Sequence, residues 1–131
     1  MSRLPVIDAP NLKPITQPGP GLTEIEEVVW HGRRLAAEQP DFIYQKVGKY
    51  CKYEPDDKNP NGCIVGAAMR AIGRSVDGRL RGAVSVVGHE LDIEGDRRLW
   101  WLAHAQVAQD AGSTWAESVR CADQEMTRWE I

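Results

Sequence analysis

The sequence predicts a mostly α-helical domain of the α+β type: about four helices, a small β-hairpin and a proline-rich N-terminal arm. Three observations carry this expectation. Apolar residues recur at helical spacing in four separate stretches. Two of those stretches open on Thr-x-x-Glu, at Thr23–Glu26 and Thr114–Glu117, the spacing at which each side chain satisfies an orphan amide of the other residue. Between the first two stretches, residues 41–54 change character, with aromatic and β-branched residues gathered around Gly48.

Residues 1–21 read as an arm. Pro5, Pro10, Pro14, Pro18 and Pro20 remove backbone donors and forbid a regular helix. Leu4, Val6, Ile7, Leu12 and Ile15 would let the segment lie across the domain or a partner subunit. Residues 22–131 then form a single domain. The first helix places Ile25, Val28, Val29, Gly32, Leu35 and Ala36 on one face and stops at Gln39, because Pro40 disfavours helical geometry before it. The hairpin is expected over about 41–54, with Phe42, Tyr44 and Val47 on one side of Gly48 and Tyr50 and Tyr53 on the other. The following PDDKNPNG is turn chemistry.

A helix from about Cys63 to Arg74 sets Val65, Ala68, Met69 and Ile72 at i, i+3, i+4 and i+7, with Gly73 as its stop. Gly66 and Ala67 would let another helix approach closely. Residues 75–94 are the least legible part, since Gly78, Gly82 and Gly88 make either a strand or a helical turn brief. A helix over Asp96–Ala111 carries Leu99, Leu102, Ala103 and Val107, and Gly112 ends it. The last helix carries Trp115, Val119, Ala122, Met126 and Trp129. The short Gly-Ser-Thr link makes these two an antiparallel pair.

The chain has 131 residues, 42% apolar and 27% charged, which suits one domain with one core. A net charge of −3 argues against a general nucleic-acid-binding character. No apolar run approaches the roughly 20 residues needed to cross a membrane, and MSRLPVIDAP has no continuous apolar core of a secretory signal. Cys51, Cys63 and Cys121 are too few for a disulfide framework, so a reducing cytoplasm is the expected compartment.

The segments YCKYEPDDKNPNGCIVGAAMRAIG, HELDIEG and AQVAQDAGSTWAESV carry a resemblance. Over about residues 42–120 the chain resembles a group of small uncharacterised actinobacterial and actinophage proteins. These share a Cys-x-x-Gly helix start and a Gln-Asp-x-Gly-x-Thr-Trp segment, matched here by Cys63, Gly66, Gln109, Asp110, Gly112, Thr114 and Trp115. The resemblance implies a fold and a source, with a bacterial host cytoplasm if phage-encoded, and no reaction.

The residues admit several chemistries. A Cys-dependent hydrolase or transferase would use Cys63 as nucleophile at a helix start, His104 or His89 as base and Asp110 as orienting carboxylate. No recognisable spacing assembles that set, and Ile64–Val65 gives the thiol an apolar setting, which favours a buried structural role. Cys51 and Cys63 are twelve apart with no second pair to complete a tetrahedron, so no metal is expected. NPNGCIVG lacks the Gly-Lys-Ser/Thr of a phosphate loop, and no cofactor is expected either.

Arg70, Arg74, Arg79 and Arg81, against Asp77 alone, leave a local charge of +3 that could meet an acidic protein surface or phosphates. Trp100 and Trp101 point about 100° apart on a helix, so one of them belongs at the core edge or on a binding surface. The leading expectation is a non-enzymatic interaction protein, binding a protein partner in preference to nucleic acid. Its surface would draw on the arm, these arginines and Trp100 or Trp101. The alternative is the Cys63-centred enzyme.

Overall fold

The computed structural model describes residues 23–46, 52–76 and 82–129. Among these, five helices follow one another: α1 (Glu24–Glu38), α2 (Ile64–Ala71), α3 (Ala83–Leu91), α4 (Arg97–Asp110) and α5 (Trp115–Trp129). The expected arm, residues 1–21, lies outside the described residues.

Both capping boxes form. Thr23 Oγ1 accepts from the Glu26 N–H at 3.4 Å while Glu26 Oε1 accepts from the Thr23 N–H at 2.9 Å. Thr114 and Glu117 repeat the exchange at 3.1 and 3.0 Å. Glu24, Glu26 and Glu27 also place negative charge where the positive end of the α1 dipole favours it. Both expected glycine stops are present. Gly73 (φ 80°) and Gly112 (φ 105°) take left-handed backbone, and the next residue of each donates back into its helix, Arg74 N–H to Met69 O and Ser113 N–H to Ala108 O.

Two expectations are corrected. Residues 83–91 form a fifth helix, α3, in the stretch that sequence left unassigned. Its buried Ala83, Val86 and Val87 stand at helical spacing with Ser85 and His89 exposed, but three valines and Gly88 within nine residues weaken the local preference for helix. The second concerns the hairpin: the described residues contain no strand, only an isolated antiparallel bridge between Ile43 and Thr114. Gly48 and Tyr50 lie outside the described residues.

The flanking segment is extended, but its partners come from elsewhere in the chain. Phe42 O accepts from Trp115 N–H at 2.9 Å, and Pro40 O accepts from Ala116 N–H at 3.1 Å. The buried Asn59 side chain takes both backbone groups of Gln45, accepting from its N–H at 2.7 Å and donating to its C=O at 2.9 Å. A side-chain amide thus stands where a neighbouring strand would pair.

Helix α4 is central and packs against all four other helices, most extensively against α5. The contacts Trp101–Asp123 and Gln109–Trp115 show the two running antiparallel. Leu99, Leu102 and Ala105 of α4 meet Trp115, Val119 and Ala122 of α5 and Val65, Ala68 and Met69 of α2 in one fully buried cluster. Trp115 also sits edge-on to Phe42, with ring centroids 4.7 Å apart.

Gly66 faces a loop and not a helix. A Cβ on Gly66 would lie 2.0 Å from the backbone oxygen of Tyr53. Tyr53 is itself held by a hydrogen bond with Gln106 and by Arg70, which donates to that same backbone oxygen at 2.7 Å. Gly66→Ala is therefore expected to lower stability by about 2–3 kcal/mol in urea denaturation, as overpacking against backbone does.

Candidate functional site

Cys63 is the N-cap of α2, with extended backbone (φ −85°, ψ 167°) and a Sγ that accepts from the Gly66 N–H at 3.4 Å. Its side chain is 0% exposed. The next helix-start donor, Ile64 N–H, is satisfied at 2.8 Å by Oε1 of Gln109. An oxyanion hole needs amides aimed at open space for the developing charge. Here two of the amides at the helix start are already hydrogen-bonded inside the protein. The start of α2 is a closed cap.

Gln109 has a wider reach. It is 0% exposed, and the same Oε1 that receives Ile64 N–H also accepts from Trp115 Nε1 at 3.0 Å. Its Nε2 donates to Asp110 Oδ1 at 2.9 Å. Burial pushes the Asp110 carboxyl above its ordinary range, an effect opposed by the Gln109 hydrogen bond and the Lys46 charge. Asp110 is thus tied to the Cys63 helix start through Gln109. The two histidines considered as bases sit elsewhere. His104 lies on the α4 face that carries Arg97 and Trp100, and His89 is exposed on α3 beside an open concavity of about 460 Å³.

The described arginines of the basic run are engaged internally. Arg70 donates to the backbone oxygens of Tyr53 and Asn61 and lies 3.9 Å from Glu54. Arg74 grips Glu24 with two hydrogen bonds, at 2.7 and 2.9 Å, and reaches Glu90 at 3.4 Å. Arg79 and Arg81 lie outside the described residues. What read as a patch is, in this half, a set of ties between α2, the loop before it, α1 and α3.

The tryptophan pair separates as helix geometry requires. Trp101 is 4% exposed, and its Nε1 donates to Asp123 Oδ1 at 2.8 Å. Asp123 pairs with the buried Arg33, whose guanidinium lies over the Trp101 ring at 5.6 Å. Trp100 is 55% exposed and lines a groove of about 300 Å³ with Arg97, His104 and Met126, between α4 and α5. Val107, two turns further along α4, is 68% exposed.

No protein-family model, curated protein or solved structure matches the chain. No group of three or more His, Cys, Asp or Glu side chains among the described residues is placed to hold a metal ion, and no described helix is long and apolar enough to cross a membrane.

Sequence reasoning missed Gln109, Asn59 and the Arg33–Asp123 pair as organisers. Gln109 alone left a trace, in the Gln-Asp-x-Gly-x-Thr-Trp segment, where it stands six residues before Trp115. The other two are long-range polar contacts with no local spacing to betray them.

Two outcomes follow from this geometry. Gln109→Leu leaves two buried donors without an acceptor and should cost about 2–4 kcal/mol by chemical denaturation. In the folded protein, iodoacetamide at neutral pH should label half-buried Cys121 well before Cys63, which should react only on addition of denaturant. Rapid labelling of Cys63 in the native state, read by peptide mass mapping, would contradict the closed cap.

Proposed function

We propose that the chain is a non-enzymatic interaction protein, an accessory product of actinobacterial or actinophage origin, that binds a protein partner through the exposed face of α4. The observation that carries this reading is Trp100. A large aromatic ring is left 55% exposed at the edge of an apolar groove, on a helix whose other faces are packed. Trp is the residue type that most often anchors a protein interface, because it brings a large rigid area into contact at little conformational cost.

The described arginines of the basic run favour protein over nucleic acid. Phosphate recognition draws on outward-facing cations, whereas Arg70 and Arg74 are held by Glu54, Glu24, Glu90 and backbone oxygens. The Cys63-centred alternative gains nothing from the same geometry, since the thiol is fully buried.

The test is capture by chemical cross-linking in actinobacterial lysate, with the tagged chain and its Trp100→Ala variant compared. Capture that weakens at least tenfold in Trp100→Ala supports the reading, whichever protein is captured, another copy of the chain included. Capture that is unchanged by the substitution removes the α4 face from it.

A further inference from the structure

We propose that the α4 face is covered, in the free chain, by the chain's own N-terminal segment, with Leu12 and Ile15 seated in the groove beside Trp100. A protein partner then reaches the face only by displacing that segment. The proposal rests on the reading of this face as a binding surface and adds how access to it is regulated.

The first support is where the segment joins the domain. Residues 1–22 precede the described part of the chain, and Thr23 is the N-cap of α1. One carboxylate connects that junction to the start of α4. Glu26 Oε1 accepts from the Thr23 N–H at 2.9 Å, and Glu26 Oε2 lies 3.3 Å from the Arg98 guanidinium. The neighbouring Arg97 lines the groove, followed along α4 by Trp100 and His104, with Met126 of α5 opposite. The segment therefore enters the domain at the end of α4 where the groove begins. From Arg97 to His104 the helix rises about 10 Å. Leu12 stands eleven residues before Thr23, a reach of up to about 36 Å in extended chain. Length sets no barrier.

The second support is a period of three. Val6, Ala9, Leu12, Ile15 and Pro18 recur at every third residue, while the other two registers are broken by Asp8, Asn11 and Gln17, and by Lys13 and Thr16. Three residues make one turn of the polyproline II helix, the conformation that Pro5, Pro10, Pro14, Pro18 and Pro20 favour. In that conformation the period-three residues share one apolar face, with Leu12 and Ile15 about 9 Å apart, close to the length of the groove. Grooves lined by aromatic rings are the surfaces on which such helices dock, because the ligand arrives already ordered. The tether selects this occupant over a separate protein. A linked segment meets its groove at an effective concentration in the millimolar range, so a weak contact is populated before any partner binds.

A nitroxide label on the full chain tests the contact. With Cys51 and Cys121 replaced by Ser, the label is attached at Asn11→Cys, since Cys63 is buried. Broadening of amide signals in the isotope-labelled chain should centre on residues 97–104 and 126. It should be lost with Leu12→Asp and Ile15→Asp together, and with Trp100→Ala. The paired substitution precedes α1, so unchanged signals elsewhere will show that the fold is kept. Broadening that stays near Thr23, or that survives the paired substitution, overturns the proposal. So does broadening of isotope-labelled chains when only separate, unlabelled copies carry the nitroxide, because the segment then covers another copy.

The paired substitution should also strengthen lysate capture about tenfold, as uncovering a face that is nine-tenths occupied does. Trp100-dependent capture that is no stronger than the parent's overturns the masking. Trp100-dependent capture without broadening at the groove fails this inference and leaves the interaction reading standing. Broadening at the groove with capture indifferent to Trp100 keeps the segment as occupant of the face and removes the protein-partner reading.

Discussion

The structure turns on one carboxamide. Gln109, fully buried near the end of α4, satisfies with a single oxygen the first amide of α2 and the indole N–H of Trp115 at the start of α5. Three helices thereby meet at an atom that has two lone pairs and uses both. A buried donor left without a partner costs about 1–3 kcal/mol, so this oxygen fixes the relative placement of α2, α4 and α5 more firmly than apolar contact alone would. One to two turns closer to the N-terminus of α4, Gln106 holds Tyr53, and Trp101 reaches Asp123 and, through it, Arg33 of α1. Helix α4 is thus tied by polar contacts at several levels, while Leu99, Leu102 and Ala105 supply apolar contact between them.

The fold was legible wherever structure is local. Capping boxes at Thr23 and Thr114 and left-handed glycines at positions 73 and 112 are short-range chemistry, and each marks a real helix end. Legibility failed where tertiary context decides. Helix α3 holds three valines and Gly88 in nine residues, so its own preference for helix is weak and its packing decides. Residues 42–45 have extended character, yet apart from the local bond of Phe42 N–H to Gln39 O their backbone partners are Asn59 and the start of α5, separated from them by 14 residues or more. No local pattern distinguishes a strand paired with its neighbour from one paired with a distant side-chain amide.

The site shows the same division. Geometry alone said that Trp100 and Trp101 cannot share a face, and one is buried while the other is exposed. Which of them turned outward depended on Asp123 and Arg33, on helices far away in the chain. The thiol at a helix start was equally visible in the sequence. Its role as a cap was not, because the residue that closes the site around it is 46 positions away at Gln109. Cys63 and Gly66 at α2, and Gln109, Asp110, Thr114 and Trp115 at the α4–α5 turn, gather around this closure.

The two groups that share the Gln109 oxygen differ in kind, and so does the freedom of the positions behind them. The indole of Trp115 is a side chain, and a replacement there would relieve the oxygen of one partner. The amide of Ile64 belongs to the main chain and is presented by every residue except proline. Its demand for an acceptor survives any other exchange at position 64. Position 109 therefore answers to the backbone itself, and no drift at positions 64 and 115 short of proline at position 64 can release it.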